Sequence, residues 1–433
     1  MTKDKREIKK RIAAFFSVSL CLLLMGCQTG AAAFREQSKV VEAEEEQEAS
    51  DMVTDRQTAQ TLSGIDRPTV SSNIAIDLQG YAPEDLKYAY FSGQDLEDEF
   101  FVYRQKDKQI VYRGTIQPAG ETGSARGDFS QLTEPGSYYI QTAVIGRSYT
   151  FQIEEGRYRK QYETDLYSWQ QTEPESYYKA DDMTNYRALF ILALLQEFYG
   201  SQEEENMEKL QKDVAYLMQT YAENAGSVSS SDPEADCDTI YTYAAAMAQS
   251  YQVLKTEPGA QTYLRQAQTA YQTAARSRRT DMAVPPEQYM AAAALFKATG
   301  SYSYHQVIKQ HETAEDMTED TTAGFWGDLL YLTSLQRVDT TLCEQQMNSL
   351  LKECGELSDS VLSQHTIENR DDSLAAMLKL TVADDTLVSL EYRNACKTLL
   401  HMLDSNSRDE MDCGEQSALL FIEGELAESE VKK

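Results

Sequence analysis

Cysteine and carboxylate are the side chains through which this sequence could do chemistry, and their spacing narrows what that chemistry is. Cys27 closes the run Leu24-Met25-Gly26-Cys27. Small Gly26 fits a peptidase pocket, and cleavage after it would leave the Cys27 thiol on the new first residue, where it can carry a thioether-linked lipid. Asp232, Glu234, Asp236 and Asp238 set carboxylates at alternate positions, as a calcium loop does, but the sixth position is Cys237 in place of glycine and the twelfth is Tyr243 in place of glutamate. Calcium is therefore the one ion to consider, and the expectation is that no cofactor is bound. Apart from Cys21 and Cys27 the cysteines are Cys237, Cys343, Cys354, Cys396 and Cys413, an odd set with no Cys-x-x-Cys pair. His305, His311, His365 and His401 form no zinc-type spacing with them, so no thiolate or histidine metal site is expected. A formal charge of −30 excludes nucleic acid as a partner, because phosphate contacts need clustered Lys and Arg.

The elements that must carry these residues begin with an export signal. Lys3, Lys5, Arg6, Lys9, Lys10 and Arg11 lead into an apolar run from Ile12 to Met25, too short to serve as a spanning helix. With Cys27 after it, the segment resembles the lipobox of bacterial lipoproteins. That resemblance implies removal of residues 1–26 and a protein held outside the cytoplasm by a lipid anchor in the cell membrane. Residues 27–69 are polar and acidic, with Glu42, Glu44, Glu45, Glu46 and Glu48 close together, and read as a disordered spacer.

Residues 70–156 carry strand signals. Aromatic and alternating runs such as Lys87-Tyr88-Ala89-Tyr90-Phe91 and Phe100-Phe101-Val102-Tyr103 are separated by turns such as Glu134-Pro135-Gly136, which predicts a β-sandwich. After Tyr158 the period becomes helical. Asp182 opens a segment with Tyr186, Leu189, Phe190, Ala193 and Phe198 on one face, closed by Gly200, and Ser201 with Glu204 reads as the capping box of the next helix. About eleven helices joined by short loops are predicted from 160 to 433, arranged as antiparallel pairs.

Several segments, in order, resemble glycoside hydrolase family 9, the cellulase-type family with an immunoglobulin-like domain ahead of a six-hairpin (α/α)6 toroid. Gly80-Tyr81-x-Pro83, Lys87-x-Ala89, Asp128-Phe129-Ser130 and Pro135-Gly136-x-Tyr138 are similar to the immunoglobulin-like domain. Thr239-x-Tyr241-x-Tyr243 with Ala244-Ala245-Ala246 and Pro286-Glu287-Gln288-Tyr289 with the following alanines resemble the helical domain, here shortened. The family inverts the sugar with two carboxyl groups roughly 6.5–9.5 Å apart, one activating water and the other protonating the leaving oxygen. Its Asp-Ala-Gly-Asp motif reads Lys179-Ala180-Asp181-Asp182 here. The resemblance puts the base on Asp182, replaces the helper aspartate by Lys179 and places Asp181, a further candidate for the catalytic set, at the glycine. It puts the general acid on Glu415 of Gly414-Glu415-Gln416-Ser417-Ala418, with Gly414 where the family has asparagine, and Tyr178, Tyr186 and Trp326 are the candidates for sugar contact. No His-His-Arg sugar-binding segment is found.

Each of these residues also has a structural role available. Asp182 could cap its helix, Glu415 could serve as a first-turn acid beside the helix dipole, and the aromatics could be packing. The resemblance therefore implies an endoglucanase-type protein that acts on or binds β-1,4-glucan-type polysaccharide, with catalysis impaired or lost. The other reading is a scaffold at the cell envelope whose helical hairpins bind another protein, with no sugar involved.

Overall fold

A computed structural model describes residues 70–93, 96–118, 125–200, 203–223, 233–278, 283–312, 322–364, 369–403, 408 and 410–431. The chain divides into two compact units, one that ends at Arg157 and includes Leu400–Ser405, the other made of 158–399 and 406–433. Cys27, the spacer, Ser201 and Asp232 lie outside the described residues.

The first unit is a seven-stranded antiparallel sheet: β1 (Ile74–Ala75), β2 (Tyr88–Phe91), β3 (Glu99–Arg104), β4 (Ile110–Gln117), β5 (Ala125–Asp128), β6 (Gly136–Gln141) and β7 (Phe151–Ile153), in the order β1-β2-β5-β4-β3-β6-β7. β4 pairs with β3 from Ile110 to Thr115 and with β5 through Ile116 and Gln117, so one strand serves both halves of the sandwich. Alternate residues point inward, and Phe91, Phe100, Val102, Phe129, Tyr138, Ile140, Phe151 and Ile153 form the core. Glycine is required where the halves meet. A Cβ at Gly114 or Gly127 would stand 2.3 or 2.4 Å from the Phe100 ring.

The sequence motifs of this half have structural explanations. Gly80 takes φ +89°, and its neighbour Tyr81 donates its N–H to Gln152 at 2.9 Å. Lys87 is wholly buried and its Nζ donates to the carbonyls of Pro83 (2.7 Å) and Asp85 (2.8 Å). Asp77 and Arg157 form a buried ion pair at 2.9 Å.

The second unit contains thirteen helices among the described residues: α1 (Arg157–Gln171), α2 (Pro174–Tyr177), α3 (Asp182–Phe198), α4 (Glu204–Glu223), α5 (Pro233–Leu254), α6 (Ala260–Ser277), α7 (Pro286–Thr299), α8 (Tyr302–Glu312), α9 (Thr322–Leu332), α10 (Thr340–Gln364), α11 (Arg370–Leu387), α12 (Leu390–Met402) and α13 (Cys413–Val431). Two kinds of helix alternate. α3, α7 and α13 are apolar nearly all round and buried along most of their length, whereas α6 buries only the stripe Ala260, Ala267, Ala270, Tyr271 and Ala274. Small residues such as Ala244-Ala245-Ala246 and Ala291–Ala294 let the inner helices approach closely. α3 packs on α5, α5 on α7, α7 on α9 and α11 on α13, and α13 returns to α3. This is the six-hairpin (α/α)6 arrangement. The run Asp236 to Asp238 lies within α5, so the looped backbone a calcium site of that type needs is replaced by helix. No described helix is long and apolar enough to cross a membrane.

Candidate active site

The residues that lead into α3 are turned by Pro174, which starts the single turn α2 and leaves Tyr178, Lys179 and Ala180 as the approach. Asp181 then has extended backbone (φ −65°, ψ 163°) and caps the helix: it accepts the Thr184 N–H at 3.0 Å and the Thr184 hydroxyl at 2.7 Å. Partial burial pushes the Asp181 carboxyl up, but the bonds from the Thr184 side chain and backbone prevail and hold it below the usual carboxylate range. The cap that the sequence offered to Asp182 belongs to Asp181. Asp182 is the first helical residue and only partly buried.

α13 begins in the same place. Asp412 accepts the Glu415 N–H at 2.9 Å, and Glu415 Oε2 accepts the Asp412 N–H at 2.9 Å, a reciprocal box at the helix start. Glu415 Oε1 accepts Arg370 Nε at 2.6 Å. Arg370 itself opens α11, whose cap is Asn369 accepting the Asp372 N–H at 2.8 Å. A Cβ on Gly414 would sit 3.2 Å from Thr184 Cγ2, so the first turns of α3 and α13 lie against each other. Cys413 Sγ donates to Asn185 Oδ1 at 3.2 Å, and Asn185 Nδ2 donates to the Ala180 carbonyl at 2.9 Å. Burial pushes the Cys413 thiol up to about 12, so it stays a neutral donor. The helix starts that carry Asp181, Asp182 and Glu415 are thus side by side.

The three aromatics proposed for sugar contact are all buried. Tyr186 is 1% exposed and meets Tyr243 edge-on at 5.0 Å, while Tyr221 stacks on Tyr243 at 3.8 Å. Tyr178 meets Tyr177 edge-on at 5.1 Å and stacks with Tyr216 at 6.3 Å. Trp326 is 0% exposed, packed against Phe190, Phe325 and Phe421, and no face of its indole is open to a ligand. Its role is core packing.

Further polar contacts lie behind these helix starts, and of these sequence reasoning missed Lys209 and Asp213. Tyr177 places its hydroxyl 3.0 Å from Ser417 Oγ, joining the approach to α3 with the first turns of α13. Beneath it Lys209 pairs with Asp213, which also accepts Trp169 Nε1 at 3.0 Å, and Lys209 Nζ lies 5.1 Å from the Trp169 ring centre. Burial pushes the Lys209 ammonium down and the Asp213 carboxyl up. The spacing of four between Lys209 and Asp213 on one helix was the available signal. Further along, Asp385, Glu425 and Glu428 bring three carboxylates within 4.8 Å, fewer oxygen ligands than the six to eight that calcium takes.

The chain matches the cellulase N-terminal ig-like domain over residues 69–147 and glycosyl hydrolase family 9 over residues 182–406, the latter more than half its length. It belongs to glycoside hydrolase family 9. The family 9 match opens at Asp182 and ends short of Glu415. Solved structures similar to this family 9 chain include a metagenome-derived family 9 endoglucanase (TM-score 0.61, 17% identity, covering 76% of this chain and 82% of that one). A family 9 protein from Bacteroides ovatus is also similar (TM-score 0.60, 14% identity, 83% and 99% covered), as is a single mutant of a thermostable endoglucanase from Alicyclobacillus acidocaldarius (TM-score 0.58, 16% identity, 76% and 82% covered). At these identities the likeness shows the fold. Among curated proteins none matches the chain.

Proposed function

We propose that this family 9 protein engages β-1,4-glucan-type polysaccharide at the end of its helical unit where α3 and α13 begin, with hydrolysis impaired or lost. We also propose that a lipid on Cys27 holds it on the outer side of a bacterial membrane, the acidic spacer setting the folded units off the surface. Inverting hydrolysis needs Asp182 to take a proton from water while Glu415 gives one to the leaving oxygen. The observation that carries the reading is the engagement of Glu415. Oε1 accepts from Arg370 and Oε2 from the Asp412 N–H, so both oxygens serve as acceptors where the chemistry needs a donor. On the other side Asp181 is committed to capping α3, and the sequence resemblance sets Lys179 at the position of the helper carboxylate.

The test is reducing-sugar release from soluble β-glucan by the wild-type protein, Asp182→Ala and Glu415→Ala, with binding measured on the same polymers. Binding with release near background supports the reading. Release at a rate normal for a hydrolase and abolished in both variants would show that the pair works and overturn the impaired-catalysis part. Absence of both binding and release would remove glucan as the ligand.

A further inference from the structure

We infer that Arg370 is the positioning residue that silences this site, by fixing the Glu415 carboxylate as a hydrogen-bond acceptor. The inference rests on the reading that β-glucan binds where α3 and α13 begin.

Neither helix needs the pair in order to start. α13 is already capped by Asp412 and α11 by Asn369, each accepting a backbone N–H of its own first turn at 2.9 and 2.8 Å. The cation is also placed against the local electrostatics of its own helix. Arg370 is the first residue of α11, where the helix dipole is positive and acids such as Asp371 and Asp372 are the favoured occupants. Arg370 makes a charge-assisted bond across to another helix, Nε to Glu415 Oε1 at 2.6 Å, with the Glu415 side chain only 14% exposed. The second oxygen of Glu415 is held by the Asp412 N–H. Each oxygen is thus an acceptor in a bond that ties the helix starts together. The carboxylate is therefore held through both oxygens by its neighbours.

The experiment compares wild-type protein with Arg370→Gln, Arg370→Met and the double variant Arg370→Gln/Glu415→Gln. A cello-oligosaccharide is the probe for both calorimetric binding and reducing-end release, and thermal unfolding identifies which variants are folded. The expected result is that wild type binds without appreciable release. Whichever Arg370 variant folds keeps the affinity within a few-fold and raises release roughly a hundredfold, the low end of what a general acid contributes. The double variant loses that gain. A merely structural Arg370 would change melting temperature or affinity without producing release that depends on Glu415. Retained binding with no gain, or a gain that survives in the double variant, overturns the inference while leaving glucan as the ligand. Wild-type release equal to that of the variants overturns it too. If no form binds the oligosaccharide, the underlying reading fails along with it.

Discussion

Asp181 closes the first turn of α3 on Thr184 with both carboxylate oxygens, to the backbone N–H at 3.0 Å and the hydroxyl at 2.7 Å, while Asp182 beside it is the first helical residue. The two aspartates should separate by readout. Asp181→Ala should lower stability by about 1 kcal/mol, the usual cost of a lost side-chain cap, and Asp181→Asn should restore most of it. Asp182→Ala removes no side-chain cap of α3 and should act on whatever the site does with glucan. Thermal unfolding of the three variants decides, and a larger loss from Asp182→Ala than from Asp181→Ala would reverse the assignment.

The buried Glu423 predicts how stability depends on pH. It sits in α13 with its side chain 1% exposed, pairs with Arg408 at 3.0 Å, and is pushed up to about 8, chiefly by burial and further by neighbouring Asp165, with Arg408 pulling the other way. Its folded value lies above the ordinary 4.5. The unfolded chain therefore releases this proton first as pH rises, so the stability it contributes is complete below about pH 4.5 and is lost by about pH 8. Chemical denaturation across that window should show the decline, and Glu423→Gln should flatten it. Asp213 and Asp384, also pushed up by burial, leave a residual slope of the same sign. An unchanged slope in Glu423→Gln would rule Glu423 out as its source.

The fold was legible because period follows burial. Alternation around Phe100 and Val102 marked a strand with one face inward, and the alanine runs at 244–246 and 291–294 marked helices that are buried all round. α2 was not legible, since a single turn opened by Pro174 carries no period. The site was legible only as far as its helix starts. Which of two adjacent aspartates caps α3 depends on the extended backbone at Asp181, and the partner of Glu415 lies 45 residues away on another helix. Trp326 misled for a simpler reason: an indole suits a sugar face and a hydrophobic core equally, and the choice depends on Phe190 and Phe421, which are remote in sequence.

Trp326→Phe tests that correction. The smaller ring leaves a cavity among Phe190, Phe325 and Phe421 and should cost on the order of 2 kcal/mol. Glucan affinity per folded molecule should stay the same. A drop in affinity with little change in melting temperature would instead mean that the indole meets sugar.

The seam between Tyr177 and Ser417 is the last link between the approach to α3 and the start of α13. The Tyr177 hydroxyl lies 3.0 Å from Ser417 Oγ and donates to the Cys413 carbonyl at 3.4 Å, the same carbonyl to which Ser417 donates at 2.7 Å. Burial pushes the Tyr177 hydroxyl well above its ordinary range, so it keeps its proton across any working pH. Tyr177→Phe removes only that oxygen and should cost about 1 kcal/mol. In a double-mutant cycle with Ser417→Ala the two losses should fall short of additive by roughly 0.5–1.5 kcal/mol, because the contact between the two side chains can be lost only once. The same cycle read by glucan affinity asks what the seam is for. If it sets the spacing of the Asp182 and Glu415 helix starts, both single variants should weaken binding and the double should weaken it no further. If it only adds stability, affinity at a temperature where every variant is folded should not move.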